Sequence, residues 1–212
     1  LFFFLSGCKK NTAVNGLIAS YNSSVTANGT TTTSTITYTY DSQNRLIERQ
    51  VTGTSNVAPI TYSYSSGQVT ATQGATVTIF QLNSQGLAIS DNQGDVASYD
   101  NNGYQTAFTN TGQGTSTVNT ISNGNIVSST QTTNGVTNTY TYTFLSQTDY
   151  RSNGVTFLGK SNVNVVNTET ISSPAASVYT FSYTYDSKGR VQTQTIVSNG
   201  FNQVDTYTYV NP

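Results

Sequence analysis

The sequence has no histidine, methionine or tryptophan, a single cysteine and only three prolines. Without histidine there is no imidazole for general acid–base chemistry or for a histidine-ligated metal. One cysteine cannot build an internal disulfide framework. Charge is scarce as well. Only 8% of the 212 residues are Asp, Glu, Lys or Arg, and nine acids against eight bases leave a net charge of −1. That balance excludes a nucleic-acid binder that works by neutralising phosphates. It also lacks the charge excess that keeps a chain disordered, and the fifteen tyrosines argue for a packed structure. The good helix formers Leu, Glu, Lys and Met are sparse, and no stretch has a helical period. In their place stand 39 Thr, 26 Ser, 23 Asn and 14 Gln, close to half of the chain.

These residues are spaced as strands. An alternating segment, a polar turn and a second alternating segment recur along the chain. The clearest copies are ITYTYDSQNRLIERQV (36–51) and FSYTYDSKGRVQTQTI (181–196). Weaker ones are ITYSYSSGQVTATQ (60–73), TIFQLNSQGLAISD (78–91), ASYDNNGYQTAFTN (97–110), NTISNGNIVSST (119–130) and TYTYTFLSQTDYRSNG (139–154). DTYTYV (205–210) reads as a lone last strand, and GTTTTST (29–35) as a polar loop or weak strand extension. Within a copy the period is two: Ile36, Tyr38 and Tyr40 share one face, Thr35, Thr37 and Thr39 the other. Tyr183 and Tyr185 are likewise expected inside, and Thr184 outside. The turns carry Asp, Ser, Asn and Gly, as tight hairpins require.

The expected fold is therefore all-β: an antiparallel meander of repeated hairpins, curled or closed into a large barrel, because a flat open sheet of roughly 16–20 strands would leave two sticky edges. Tyr and Ile are expected inward. A barrel that spans a bilayer needs an apolar outer band, and the outward residues here are Thr, Ser and Gln, so the sheet is expected to stand in water.

The chain opens LFFFLSGCKK. Leu1–Leu5 is far shorter than the ~20 residues of a membrane span and reads as the tail of a secretory leader whose beginning lies upstream, since no Met is present. Leu5-Ser6-Gly7-Cys8 resembles the lipobox of bacterial lipoproteins. The resemblance implies cleavage before Cys8 and acylation of its thiol, giving 1–7 as a signal-peptide remnant, 8–16 as the lipidated Cys and tether, and 17–212 as a single domain. Lys9, where that family carries Asp for inner-membrane retention, implies the outer membrane, with the periplasmic or surface face left open.

Tyr40-Asp41-Ser42-Gln43-Asn44-Arg45-Leu46 and Tyr185-Asp186-Ser187-Lys188-Gly189-Arg190-Val191 resemble YD repeats, Asn44 standing where the family has Gly. The chain is similar to small envelope lipoproteins with YD-like hairpins, a family of unknown function whose fold is called porin-like. That resemblance implies a lipid-anchored, non-enzymatic scaffold or interaction surface. A glycan-binding lipoprotein is the alternative, because tyrosines at alternate positions also stack on sugar rings. Expected partners are the membrane, through the anchor at Cys8, and a polysaccharide or envelope protein; no cofactor, metal or catalytic residue is assigned. Asp91, Asp95 and Asp100 lie close enough in sequence to pose a Ca²⁺ site, but their spacing fits no known loop and solvated turns are the plainer reading. Asp149 with Glu169, or Asp41 with Asp186, would suit glycoside hydrolysis only at the right separation in space.

Overall fold

The computed structural model describes residues 16–54, 57–172 and 176–210. Its strands are β1 (Ile18–Ala27), β2 (Thr30–Tyr40), β3 (Leu46–Gly53), β4 (Val57–Ser65), β5 (Gln68–Gln73), β6 (Thr76–Leu82), β7 (Ala88–Asp91), β8 (Asp95–Tyr99), β9 (Gln105–Asn110), β10 (Thr115–Ser122), β11 (Asn125–Thr133), β12 (Val136–Thr148), β13 (Asn164–Ile171), β14 (Ser177–Tyr185), β15 (Val191–Ser198) and β16 (Phe201–Tyr209). Each pairs antiparallel with its neighbours in sequence, and β16 returns to pair with β1, which closes the meander into a barrel. The segment read as a lone last strand is the one that shuts the ring. Thr30–Tyr40 is strand throughout, so the Thr-rich stretch after Gly29 is wall rather than loop.

Alternation sorts the two faces. Ile36 is buried and Tyr38 and Tyr40 are half-buried on the inside, while Thr37 and Thr39 are exposed. Tyr183 follows the same rule. Tyr185 does not: it sits at the rim, next to a register shift, and is 37% exposed. On the outer face, threonine and serine hydroxyls of paired strands bond one another, as in Ser20–Thr208 (2.7 Å), Thr132–Thr137 (2.9 Å), Thr143–Thr168 (2.7 Å) and Thr184–Thr193 (2.6 Å). Exposed valines such as Val96, Val118 and Val178 are scattered among them.

One turn design recurs at one end of the barrel. Oδ1 of Asp41 accepts the N–H groups of Gln43 and Arg45, both at 2.9 Å, and Oδ2 accepts Nε–H of Arg45 at 2.7 Å. Asp186 does the same with Lys188 and Arg190. Asn83 (to Gln85 and Leu87) and Asp100 (to Asn102 and Tyr104) repeat the backbone half. The fourth residue of each turn, Asn44, Gly86, Gly103 or Gly189, has positive φ, so Asn and Gly are interchangeable there. Behind every turn the register slips by one residue, at Tyr40/Leu46, Leu82/Ala88, Tyr99/Gln105 and Tyr185/Val191. Such a bulge frees a carbonyl. A side chain of the next hairpin takes it up: Tyr64 OH donates to Leu46 O (2.7 Å), Tyr99 OH to Ala88 O (2.9 Å), Asn119 Nδ2 to Gln105 O (3.0 Å) and Tyr209 OH to Val191 O (2.6 Å). Arg45 and Arg190 lie over those same rings, 4.3 Å from Tyr64 and 4.2 Å from Tyr209. The repeat visible twice in the sequence thus occurs four times in space.

The segment 139–154 departs from the hairpin expectation. Val136–Thr148 is one long strand, and residues 149–163 then leave the wall altogether. They form a strap around the inside of the same end. Arg151 reaches Gln194 and Tyr207 on β15 and β16. Ser152 exchanges backbone bonds with Gly16 and Ile18. Gly154 O accepts Leu46 N–H on β3. Phe157, in a short 3₁₀ turn (Thr156–Leu158), reaches β4 and β6. Lys160 N–H donates to Gly103 O, and Val163 N–H to Gly124 O. The strap therefore makes one circuit and rejoins the wall beside the strand it left.

Candidate functional site: a lumen closed at one end

A round barrel of sixteen strands, about 4.8 Å apart and tilted by about 40°, has a wall radius of roughly 16 Å, too wide for its own side chains to fill. Residues 149–163 reach about 50 Å when extended, enough for one turn at a radius of about 8 Å, one side-chain layer inside the wall. The strap thereby closes its mouth. Phe157 is 2% exposed, with its ring 5.1 Å from Phe80, 6.2 Å from Tyr62 and 6.4 Å from Tyr64. Leu46, Val69, Ala88 and Val155 complete this apolar floor. Two glycines fit the strap beneath it. A Cβ on Gly154 would lie 2.7 Å from the Tyr40 ring, and one on Gly159 2.8 Å from the Tyr99 ring, both at positive φ. Arg151 is held by Asp149 through Nε–Oδ1 (2.9 Å) and Nη2–Oδ2 (2.7 Å), with Gln194 and Tyr207 as further acceptors.

At the opposite mouth the connections made wholly of described residues are short turns, and no described residue crosses it. The inner wall between mouth and floor carries rings. Tyr21 and Tyr38 stack at 6.4 Å, and Tyr21 and Tyr207 approach to 5.4 Å. The positive charge of Arg49 acts on the phenols of Tyr21 and Tyr38 and works against the rise that burial imposes on them. Burial pushes the phenols of Tyr38, Tyr62, Tyr142, Tyr183 and Tyr207 up, and that of Tyr64 to about 12, so they stay protonated donors at any physiological pH. Carboxylates face inward too. Asp205 is 3% exposed, accepts both bonds from the Gln203 amide, and is raised by burial despite Ser23, Gln203 and Arg151. Glu169 is raised by burial alone. Asp95, near the open mouth, is raised by burial and by Asp91 beside it, and Asn110 Nδ2 donates to it at 3.3 Å.

The acidic groups singled out in the sequence are not brought together. Asp91 and Asp95 flank the β7–β8 turn at the open mouth, whereas Asp100 caps a turn at the strap end. Asp41 and Asp186 are each locked in their own turn by arginine, and Asp149 is paired with Arg151 rather than with Glu169. Among the described residues no group of three metal-binding side chains forms. Cys8 lies outside the described residues. What sequence reasoning missed is the strap and the lumen-facing Arg49 and Asp205; the sequence poses Glu169 only as a partner of Asp149, not as a group of the inner wall. Their period-two placement put them inside, but they stand singly among Tyr and Gln and make no motif.

No family model matches the chain, and no curated protein does. Among solved structures it is similar to the crystal structure of a porin-like protein from Bacteroides uniformis, with a TM-score of 0.70 over 91% of this chain and 97% of that one. The two share a fold. At 18% identity the likeness extends to the closed all-β barrel and no further.

Proposed function

We propose that this chain is a lipid-anchored, non-enzymatic protein of the cell envelope whose barrel serves as a one-ended binding cup. The strap carries this reading: a chain that spends residues 149–163 on sealing one mouth has made a vessel rather than a conduit. Its envelope setting is supported by the lipobox-like Leu5-Ser6-Gly7-Cys8 and by the fold shared with a protein described as porin-like. The hydroxyl-covered outer wall favours a barrel standing in water over one embedded in lipid, where each hydroxyl would lose its solvent partner. The chain enters the barrel at Gly16, whose carbonyl is bound to the strap, so a tether running from Cys8 emerges at the closed end. The open mouth then faces away from the outer membrane. Labelling with a palmitate analogue tests the anchor: the native chain should incorporate it and sediment with membranes, and Cys8→Ser should do neither. Equal labelling of the two would refute it.

Within this reading the scaffold role and glycan binding differ in where the tyrosines sit. Half-buried rings on an inner wall, with protonated hydroxyls and amide neighbours, favour a glycan in the lumen over a purely structural core. With no tryptophan in the chain, tyrosine emission reports directly on that wall during an oligosaccharide screen.

A further inference from the structure

Opposite the Arg49 wall, three adjacent strands place Tyr142, Glu169 and Tyr179 in register across β12, β13 and β14. All three are half-buried and point into the lumen. Tyr140 stands two residues along from Tyr142 on the same face, and the charge of Glu169 acts on both phenols. Phe201 closes the outer side, edge-on to Tyr179 at 5.9 Å. The Tyr140 hydroxyl is turned away to Gln131, at 3.3 Å. Among the described residues no ion pair includes Glu169, and burial is the cause that acts on its carboxyl. A carboxylate standing between two aromatic side chains in register, without an ion pair, is the complement of an ammonium group: rings attract a cation through their quadrupoles and the carboxylate neutralises it. The surroundings point the same way. Asp91, Asp95 and Asp205 also face the lumen, while Arg49 is the one base facing it outside the strap among the described residues. A cleft lined by one sign of charge concentrates the opposite sign.

We infer that the cup takes a ligand bearing a protonated amine, and that this amine is seated between Tyr142, Tyr179 and Glu169 near the open mouth. The inference rests on the lumen-binding reading above and names the ligand's chemistry. An amino sugar with a free amine and an alkyl polyamine both supply the group. Neutral N-acetylated sugar does not.

Tyrosine fluorescence of the full chain, held in nonionic detergent, is titrated with a glucosamine tetrasaccharide, with its fully N-acetylated counterpart and with spermidine. Binding of an amine probe, weakened about tenfold or more in Glu169→Gln and in Tyr142→Leu variants that keep the native strand signature and a cooperative thermal transition, is the expected result. Response to the tetrasaccharide alone identifies an amino sugar, and response to spermidine alone an alkyl amine. N-acetylated sugar bound as tightly as the free amine, with Glu169→Gln indifferent, overturns the amine subsite and leaves the lumen reading standing. Silence to all three probes overturns both.

Discussion

A tyrosine in this protein has two faces of use, and its hydroxyl decides which. Tyr64, Tyr99 and Tyr209 spend theirs on carbonyls freed by register shifts, whereas Tyr21 and Tyr38 keep theirs in the lumen, within the field of Arg49. Removing a hydroxyl of the first kind strands a buried carbonyl. Tyr209→Phe and Tyr64→Phe should therefore each cost about 1–2 kcal/mol, read as a shift in the denaturant midpoint. Tyr62→Phe, which breaks no such bond, should cost well under that. The arginine above the ring matters less. In the third copy of the turn Leu87 occupies the position of Arg45 and Arg190, and the turn forms all the same. Arg45→Leu should thus be milder than Tyr64→Phe, and Asp186→Ala, which removes three bonds at once, should exceed both. A larger loss for Arg45→Leu than for Tyr64→Phe would mean that the ion pair, not the bulge cap, holds the turn.

At the scale of elements, the hairpins were legible and the strap was not. Alternation of Tyr with Thr in 36–40 and 181–185 is a local signal, because the pleat alone determines which side chains share a face. Turns built on Asn83 and Asp100 were seen as turns, yet their kinship with the Asp41 turn lies in backbone bonds that tolerate Leu87 and Tyr104 in place of Arg. The stretch TYTYTFLSQTDYRSNG kept its alternation through Phe144 and then acquired Asp, Asn and Gly, which reads as another hairpin. Only its partners make it a strap, and those lie on six other hairpins. Its least replaceable contact is the Arg151–Asp149 pair, where the side chains are 9% and 12% exposed. Breaking a buried pair from one side leaves a bare charge, so Arg151→Ala and Asp149→Ala should each cost about 3–5 kcal/mol. The double variant should cost less than the sum. Limited proteolysis should then cut between 149 and 163 first, since the wall's own ladder is untouched. Cleavage spread evenly around the barrel would mean that strap and wall unfold together.

For the whole molecule, the carboxylates divide into two groups with opposite demands on pH. Asp95, Glu169 and Asp205 have raised values, chiefly from burial, so the barrel disfavours their charged forms. As pH falls they take up protons in the barrel before they would in the unfolded chain, and the folded state gains down to the ordinary carboxylate value of about 4. Asp41 and Asp186 behave in reverse. Burial alone would raise them, but the backbone N–H groups of the turn and the arginine outweigh it and hold them low. Their support is complete above that ordinary value and is lost as pH falls through their depressed ones. The thermal midpoint should climb as pH falls toward the ordinary carboxylate value of about 4 and drop below it. Glu169→Gln should flatten the climb and leave the drop. A midpoint that declines steadily from neutrality would contradict the raised values of these inward-facing groups.

The pairing of β1 with β16 brings the two ends of the described chain together, and Val210 N–H donates to Leu17 O at 3.0 Å. Topologically the wall is a ring with a nick in it, and the nick happens to lie at the strap end. Nothing in the ladder needs it there. A circular permutant with the old ends linked and the chain reopened between Asn28 and Gly29 should keep its strand signature and close to its native melting temperature. A segment fused to its new N-terminus would then start from the opposite rim. Under the anchoring proposed for Cys8, such a permutant would hang from the membrane upside down, mouth to the lipid, with its inner wall intact and out of reach of a large solute.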